Sequence, residues 1–242
     1  LYMSERVFVT FGAGGDNYTQ AGERLIAQAT NTGLFDEVLL RTDKHLKDDD
    51  TFWTQHEQFI MNNKRGYGYW LWKSWIVCEL IKQLNDGDML MYLDCGCEIG
   101  GDKQQHMQQH FELVKQHKII SGVNDVMFLA EQQWCKMDLA IHLDMNDEQT
   151  WTTSQQEAGA LLFEVCEQTR MLTQQWYETA CDYHLIDDSP SVMRNRVAFI
   201  EHRHDQSILS LLIKRHGLVN SHDMKNCTHY IRNKTGNSRI TG

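Results

Sequence analysis

The hydrophobic run of MLMYLDCGCEIGG stops at Asp94, and Glu98 follows with Cys95, Gly96 and Cys97 between the two acids. Short carboxylates at the end of a buried strand suit a hard divalent cation, Mn2+ or Mg2+, which takes oxygen ligands and keeps positions open for diphosphate oxygens. Gly96 leaves room for such a ligand to approach the backbone. The alternative is an Asp and a Glu that cap a turn. A cysteine site fits less well, because structural zinc sites need four ligands and recur at C-x₂₋₄-C spacing, which Cys95-x-Cys97 does not have.

Upstream, in KRGYGYWLWKSW, Arg65 and Lys73 bracket tyrosines and tryptophans near a helix start. Arginine offers paired N–H contacts to phosphate, lysine a point charge, and aromatic rings a stacking face for a base or a sugar. The competing reading makes the tryptophans core and the charges a solvated rim. A glycine cluster follows the first strand in FGAGGDNY. It gives G-x-G-G without the third glycine of the dinucleotide fingerprint, and Arg41 precedes Asp43 where an acid should end the second strand. The cluster reads as a turn at the sheet's carboxyl edge or as a nucleotide-contacting loop of another type.

These residues need a frame. VFVTF at Val7 to Phe11, the helically spaced TQAGERLIAQATNTG and the strand EVLLRT form a parallel crossover unit within ~35 residues. YWLWKSWIVCELIKQLNDGD then reads as a helix after a polar connection, and MLMYLD as the next strand. HMQQHFELVKQH is a helix, KIISGV a strand, KMDLAIHLDM a short helix and EAGALLFEV a strand. TRMLTQQWYETACDYHLI reads as one long helix and DQSILSLLIKRHG as another. The expectation is an α/β fold with a mostly parallel central sheet flanked by helices, one domain over residues 1–242, and a polar tail from about 220 that wraps the domain or lies loose. Ligands then bind beyond the carboxyl ends of the strands, where Asp94 sits.

Composition narrows the partners. With 41% hydrophobic residues and a formal net charge of −10, the chain has a globular composition and lacks the basic surface that nucleic acid or anionic lipid requires. Any phosphate must be held locally. No apolar stretch reaches the ~20 residues of a membrane-spanning helix, and no secretory signal heads the chain, where Leu1-Tyr2 before Met3 reads as a remnant. Seven cysteines without framework spacing point to a reducing, cytoplasmic setting.

RGYGYWLWKSWIV, GDMLMYLDCGCEI, QQEAGALLF and FIEHRHDQSILSLL, in that order, resemble small GT-A-type glycosyltransferases of bacteria, algae and large DNA viruses. The resemblance spans Val7 to about Val219, and HRHDQS opening a helix is its most specific block. It implies a GT-A, Rossmann-like fold and transfer of a sugar from a UDP- or GDP-linked donor to an acceptor hydroxyl on a glycan or glycoconjugate, assisted by Mn2+ or Mg2+. Asp94 matches the first acid of the family's Asp-x-Asp-like motif. Gly96 stands where typical members carry the second, which makes Glu98 the candidate second ligand, with His202 and His204 as candidates for a third. Asp205 is expected to cap its helix and to contact donor or acceptor. The resemblance places Gln156, Glu157 and Gly159 on the acceptor side; an inverting transfer would use Glu157 or Asp205 as its base, a retaining one needs no conspicuous base, and the residues leave the two open. The nucleotide is expected over Thr10, Phe11 and Gly12, with Arg65, Lys73 and Gly96 also on the donor. Two rival readings are a sugar nucleotidyltransferase and a non-catalytic nucleotide- or sugar-binding module of the same fold.

Overall fold

The computed structural model of the protein describes residues 4–123 and 129–240; Leu1, Tyr2 and Met3 lie outside it. Five strands, β1 (Arg6–Phe11), β2 (Glu37–Arg41), β3 (Met89–Leu93), β4 (Ile119–Val123) and β5 (Gln156–Glu164), form one sheet in the order β2-β1-β3-β5-β4. β1 pairs parallel with β2 and β3, whereas β5 pairs antiparallel with both β3 and β4. The expected mostly parallel sheet is therefore corrected to a mixed α/β sheet. The pattern could not distinguish them, because a strand covered on both faces is a continuous apolar run in either direction.

Strand residues alternate between two buried layers, as the two-residue period of a pleated strand requires. Val7, Val9, Phe11, Leu90 and Tyr92 face one layer, packed with apolar residues of the helices Asp50–Asn62, Leu71–Gln83, Glu167–Ala180 and His204–Arg215. Phe8, Met89, Met91 and Leu93 face the other, against Leu25 and Ala29 of the helix Asp16–Thr32 and Met107, Phe111 and Val114 of the helix Met107–His117. Among the described residues no helix is long and apolar enough to cross a membrane.

Three local readings change. The segment taken as a polar connection holds the helix Asp50–Asn62, whose first turn is capped by the Asp49 carboxylate accepting the Phe52 N–H at 2.7 Å. Its apolar stripe was obscured because a buried His56 takes one of its positions. The long helix expected over 169–186 divides into Glu167–Ala180 and Tyr183–Ile186. The helix read from Tyr69 begins at Leu71, and Gly66 to Trp70 before it all have positive φ, from 52° to 86°. This left-handed turn is closed by Tyr69 N–H to Arg65 O (2.8 Å) and Trp70 N–H to Gly66 O (3.1 Å). Left-handed backbone costs roughly 1–2 kcal/mol at each non-glycine residue, here Tyr67, Tyr69 and Trp70.

The polar tail packs back on the segment after β3. His229 exchanges backbone hydrogen bonds with Glu98 (2.9 and 2.8 Å), and Asn233 N–H donates to Gly96 O at 2.8 Å.

Candidate functional site

β1 has β2 on one side and β3 on the other, so the chain changes direction across the sheet at this pair. Ligands of open α/β sheets bind outside the carboxyl ends of the strands at such a point. There the structure has a cavity of about 600 Å3. Phe11, Ala13, Gly14 and Tyr18 line it after β1, and Asp94 to Cys97 after β3. Because β5 runs antiparallel, its amino-terminal half lies beside the carboxyl end of β3, with Leu93 opposite Ala160 and Asp94 N–H donating to Gly159 O at 2.8 Å. Ala158 and Gly159 reach the cavity for this reason. A parallel β5 would have put them at the far edge.

Lys73 lies at the centre of the site and is 2% exposed. Its ammonium is 3.0 Å from Asp205 Oδ2 and 3.2 Å from Asp94 Oδ1, and it donates to Ala158 O at 3.3 Å. A buried ammonium is costly unless paired and hydrogen-bonded, and these three oxygens offset that cost. Burial lowers the Lys73 pKa, but Asp205 and Asp94 outweigh it and leave the group above an ordinary lysine. For Asp205 burial dominates: despite Lys73 its carboxyl is pushed up to about 6. Tyr92 Oη donates to Asp94 Oδ1 at 2.7 Å and fixes that side chain, which keeps 31% of its surface open.

Asp205 is not the helix cap. The helix starts at His204, with Arg203 as cap residue, and the Asp205 side chain turns inward to Lys73. Its carbonyl is held by the Trp176 indole N–H at 3.0 Å. Arg65, on the rim, pairs with Asp188 (3.1 Å) and Glu201 (3.3 Å).

Several expected site residues lie elsewhere. Glu98 is fully buried away from the cavity, and its carboxylate accepts from Asn233 Nδ2 (2.6 Å), Ser238 Oγ (2.6 Å), Arg239 N–H (3.0 Å) and Gln28 Nε2 (3.1 Å), with Arg24 at 3.4 Å. Although burial alone would raise its pKa, these donors pull it down to about 2. This carboxylate holds the tail and is not offered to a metal beside Asp94. His202 uses both ring nitrogens, Nε2 toward Leu185 O (2.9 Å) and Nδ1 accepting from Lys136 N–H (3.3 Å). It is buried and neutral, with its pKa driven well down by burial. His204 lines the cavity, stacked on Trp70 with ring centroids 5.4 Å apart; Nδ1 is held by Ile186 O at 2.8 Å and Nε2 has no hydrogen-bond partner.

Thr10 is buried, its hydroxyl donating to Leu93 O at 2.7 Å, and Phe11 reaches the cavity while Thr10 and Gly12 do not. Gln156 and Glu157 also stand off it, Gln156 bonded to Ser121 (2.8 Å) and Glu157 paired with Lys225 (2.9 Å). Gly96 makes room for the chain itself rather than a ligand, since a Cβ there would lie 3.1 Å from Arg232 Cα. Asp94 to Cys97 form a turn rather than an extended strand: Cys97 N–H donates to Asp94 O (2.8 Å), and Arg24 gathers the Cys95 and Cys97 carbonyls. All seven cysteines are free thiols.

The residues present do not fit a resident Mn2+ or Mg2+. Asp94 shares Oδ1 with Tyr92 and Lys73, Glu98 and His202 have their lone pairs engaged elsewhere, Lys73 separates Asp94 from Asp205, and His204 Nε2, though without a hydrogen bond, faces Asp188 Oδ1 at 3.6 Å and has no second metal ligand gathered with it among the described residues. Among the described residues no group of three or more His, Cys, Asp or Glu side chains gathers to hold a metal.

Cationic groups surround the cavity instead. Lys64, Arg65, Lys73, Arg203, Arg232 and Lys234 line it against Asp94, Glu201 and Asp205, a local basic surplus in a chain of net charge −10. Tyr230, Arg232 and Lys234 come from the tail, which lacks regular periodicity. Arg232 and Lys234, on either side of Asn233 in an acidic chain, were the only signal, and a weak one.

No protein-family model and no curated protein matches the chain. Among solved structures it is similar to mouse xyloside xylosyltransferase 1 in its apo form, at 11% identity and a TM-score of 0.45, over 90% of this chain and 84% of that one. The apo bifunctional glycosyltransferase WbbM is similar at 12% identity and a TM-score of 0.47, over 88% of this chain and 38% of that one. The galactosyltransferase LgtC, in complex with donor and acceptor sugar analogues, is similar at 14% identity and a TM-score of 0.42, over 85% of this chain and 70% of that one.

Proposed function

We propose that this chain is a nucleotide-sugar-dependent glycosyltransferase of the GT-A type. The observation that carries the reading is a basic, aromatic-lined cavity of about 600 Å3 at the carboxyl ends of β1 and β3 in a strongly acidic chain, with Asp94 and Asp205 inside it. That volume suits a nucleotide-sugar, since small-molecule sites span roughly 300–1,000 Å3. The order of the four sequence blocks supports the same reading.

In this proposal the base of a UDP- or GDP-linked donor lies near Phe11, Ala13 and Tyr18, its sugar reaches toward Asp94, and the glycan hydroxyl enters beside Gly159. The acceptor oxygen forms a bond to the anomeric carbon as the bond from that carbon to the phosphate oxygen breaks; the nucleoside diphosphate leaves with the electron pair. Asp205, with its carboxyl near neutrality, takes the acceptor proton, the role that fits a group poised near working pH. Asp205 lines the cavity and Glu157 does not, which supports Asp205 in this role. Charge on the leaving diphosphate is met by the cationic lining, an electrostatic contribution made without reorganisation.

A thermal-shift panel of nucleotide-sugars tests the reading, because a ligand that binds only the folded state raises the melting temperature. At least one UDP- or GDP-sugar should stabilise the protein and be turned over with a glycan acceptor. Release of pyrophosphate from a nucleoside triphosphate and a sugar phosphate would replace this activity with nucleotidyl transfer. Binding without turnover of any donor would leave a non-catalytic module.

A further inference from the structure

We infer that the site holds and discharges its nucleoside diphosphate without a divalent cation: Lys73 occupies the place between Asp94 and Asp205, and Arg232 and Lys234 of the tail meet the diphosphate. The inference rests on the glycosyltransferase reading for the class of ligand. A divalent ion sits ~2.1 Å from its oxygen ligands, and it cannot enter between two carboxylates already 3.2 and 3.0 Å from one buried ammonium. Nor can Lys73 withdraw without cost, since Ala158 O holds it at 3.3 Å and its side chain is almost fully buried.

The tail supplies the missing charge by a register argument. Asn233 is fully buried, donating to Glu98 Oε1 at 2.6 Å, while its N–H bonds Gly96 O at 2.8 Å. With Asn233 pinned inward, both neighbours line the cavity, Lys234 with its ammonium 3.1 Å from Tyr18 Oη. Glu98 is thereby a positioning residue: the acid that a metal would have used instead fixes the segment carrying two cations. Six basic against three acidic side chains around the cavity leave a surplus matched to a diphosphate.

Calorimetric titration of UDP and GDP into the full chain, in chelator and in millimolar Mn2+, tests this. One of the two should bind in chelator with an affinity that Mn2+ does not raise tenfold. Arg232→Ala and Lys234→Ala should each weaken that binding about tenfold while the melting temperature stays put, because both side chains are exposed. Binding seen only with Mn2+, or unchanged in both variants, overturns the inference and leaves the glycosyltransferase reading standing. If neither nucleotide binds in either condition, both fall together.

Discussion

Lys73 Nζ and Asp205 Oδ2 meet 3.0 Å apart, with each side chain at most 5% exposed, at the junction of two helices and two strands. The pair joins the helix Leu71–Gln83 to the helix His204–Arg215, and through Asp94 and Ala158 it reaches the ends of β3 and β5. Removing one member leaves the other almost wholly buried without its charge partner. Lys73→Met should cost about 3–5 kcal/mol, read by urea unfolding, and Lys73→Met with Asp205→Asn should recover a large part of it. Additive losses would show that the two are not coupled.

The pH dependence follows from the same carboxyl. Asp205 in the fold is raised to about 6, above its unfolded value, so the fold favours the protonated form. Its contribution to stability is fully present below the ordinary aspartate range and is lost as pH rises through about 6. The stability difference between Asp205→Asn and the native chain should therefore shift in the variant's favour by a few kcal/mol from pH 4 to pH 7. Turnover should run the other way, rising with pH through about 6 as the base is freed, and Asp205→Asn should lower kcat by roughly 10²–10⁴-fold and flatten that limb. A pH–rate profile unchanged in the variant would remove Asp205 from the base role.

Glu98 behaves with the opposite sign. Its pKa is depressed to about 2, so its contribution is present above the ordinary glutamate range and drains as pH falls toward 2. Glu98→Ala removes the acceptor for Asn233, Ser238, Gln28 and the Arg239 N–H and leaves the Arg24 guanidinium buried without its carboxylate. A loss of about 3–5 kcal/mol is expected, together with proteolytic cleavage within 229–240 before the rest of the chain. Limited proteolysis followed by mass measurement reads the order of cleavage.

Gly159→Ala probes the proposed acceptor side. A Cβ at this position would lie 2.2 Å from Tyr230 Oη and 2.5 Å from its ring, so the phenol must move into the cavity or the tail must lift. The expected cost is about 1–3 kcal/mol, with a higher KM for the acceptor. Gly159→Ala combined with Tyr230→Ala should restore the fold by vacating the ring's place. Unchanged acceptor kinetics in the single variant would separate Tyr230 from the acceptor.

The left-handed turn Gly66 to Trp70 offers a stability test of its own. Tyr67 stands at φ 54° and ψ 55°, and Asn or Gly tolerates that backbone better than tyrosine. Tyr67→Gly should keep the turn while losing its ring from the cavity and its contact with Phe11 at 6.2 Å. Nucleotide affinity should fall with little change in melting temperature, measured by titration and thermal unfolding.

Much of the frame was legible in the residues. The runs VFVTF, EVLLRT, MLMYLD, KIISGV and EAGALLFEV all fall on strands, because short runs rich in β-branched and aromatic or other apolar residues suit a pleated sheet, half-buried as in β2 or buried as in β3. Asp94 was legible as a strand-end carboxylate, and Arg65 and Lys73 as basic residues set among aromatics. Burial was harder to read: Lys73, expected on a ligand, lies inside the protein between two acids, a state that depends on partners distant in sequence.

Sequence alone determined where the five strands and most of the long helices form, though not the helix Asp50–Asn62, since local periodicity and apolar runs are properties of a few consecutive residues. Tertiary structure decided the direction of β5, which brings Gly159 to Asp94, and the fate of Glu98, which Asn233, Ser238 and Arg239 of the tail and Gln28 and Arg24 of the first helix draw away from the cavity. Strand direction is invisible to a pattern that reads the same both ways, and the partner of a buried charge is set by which distant segments pack against it.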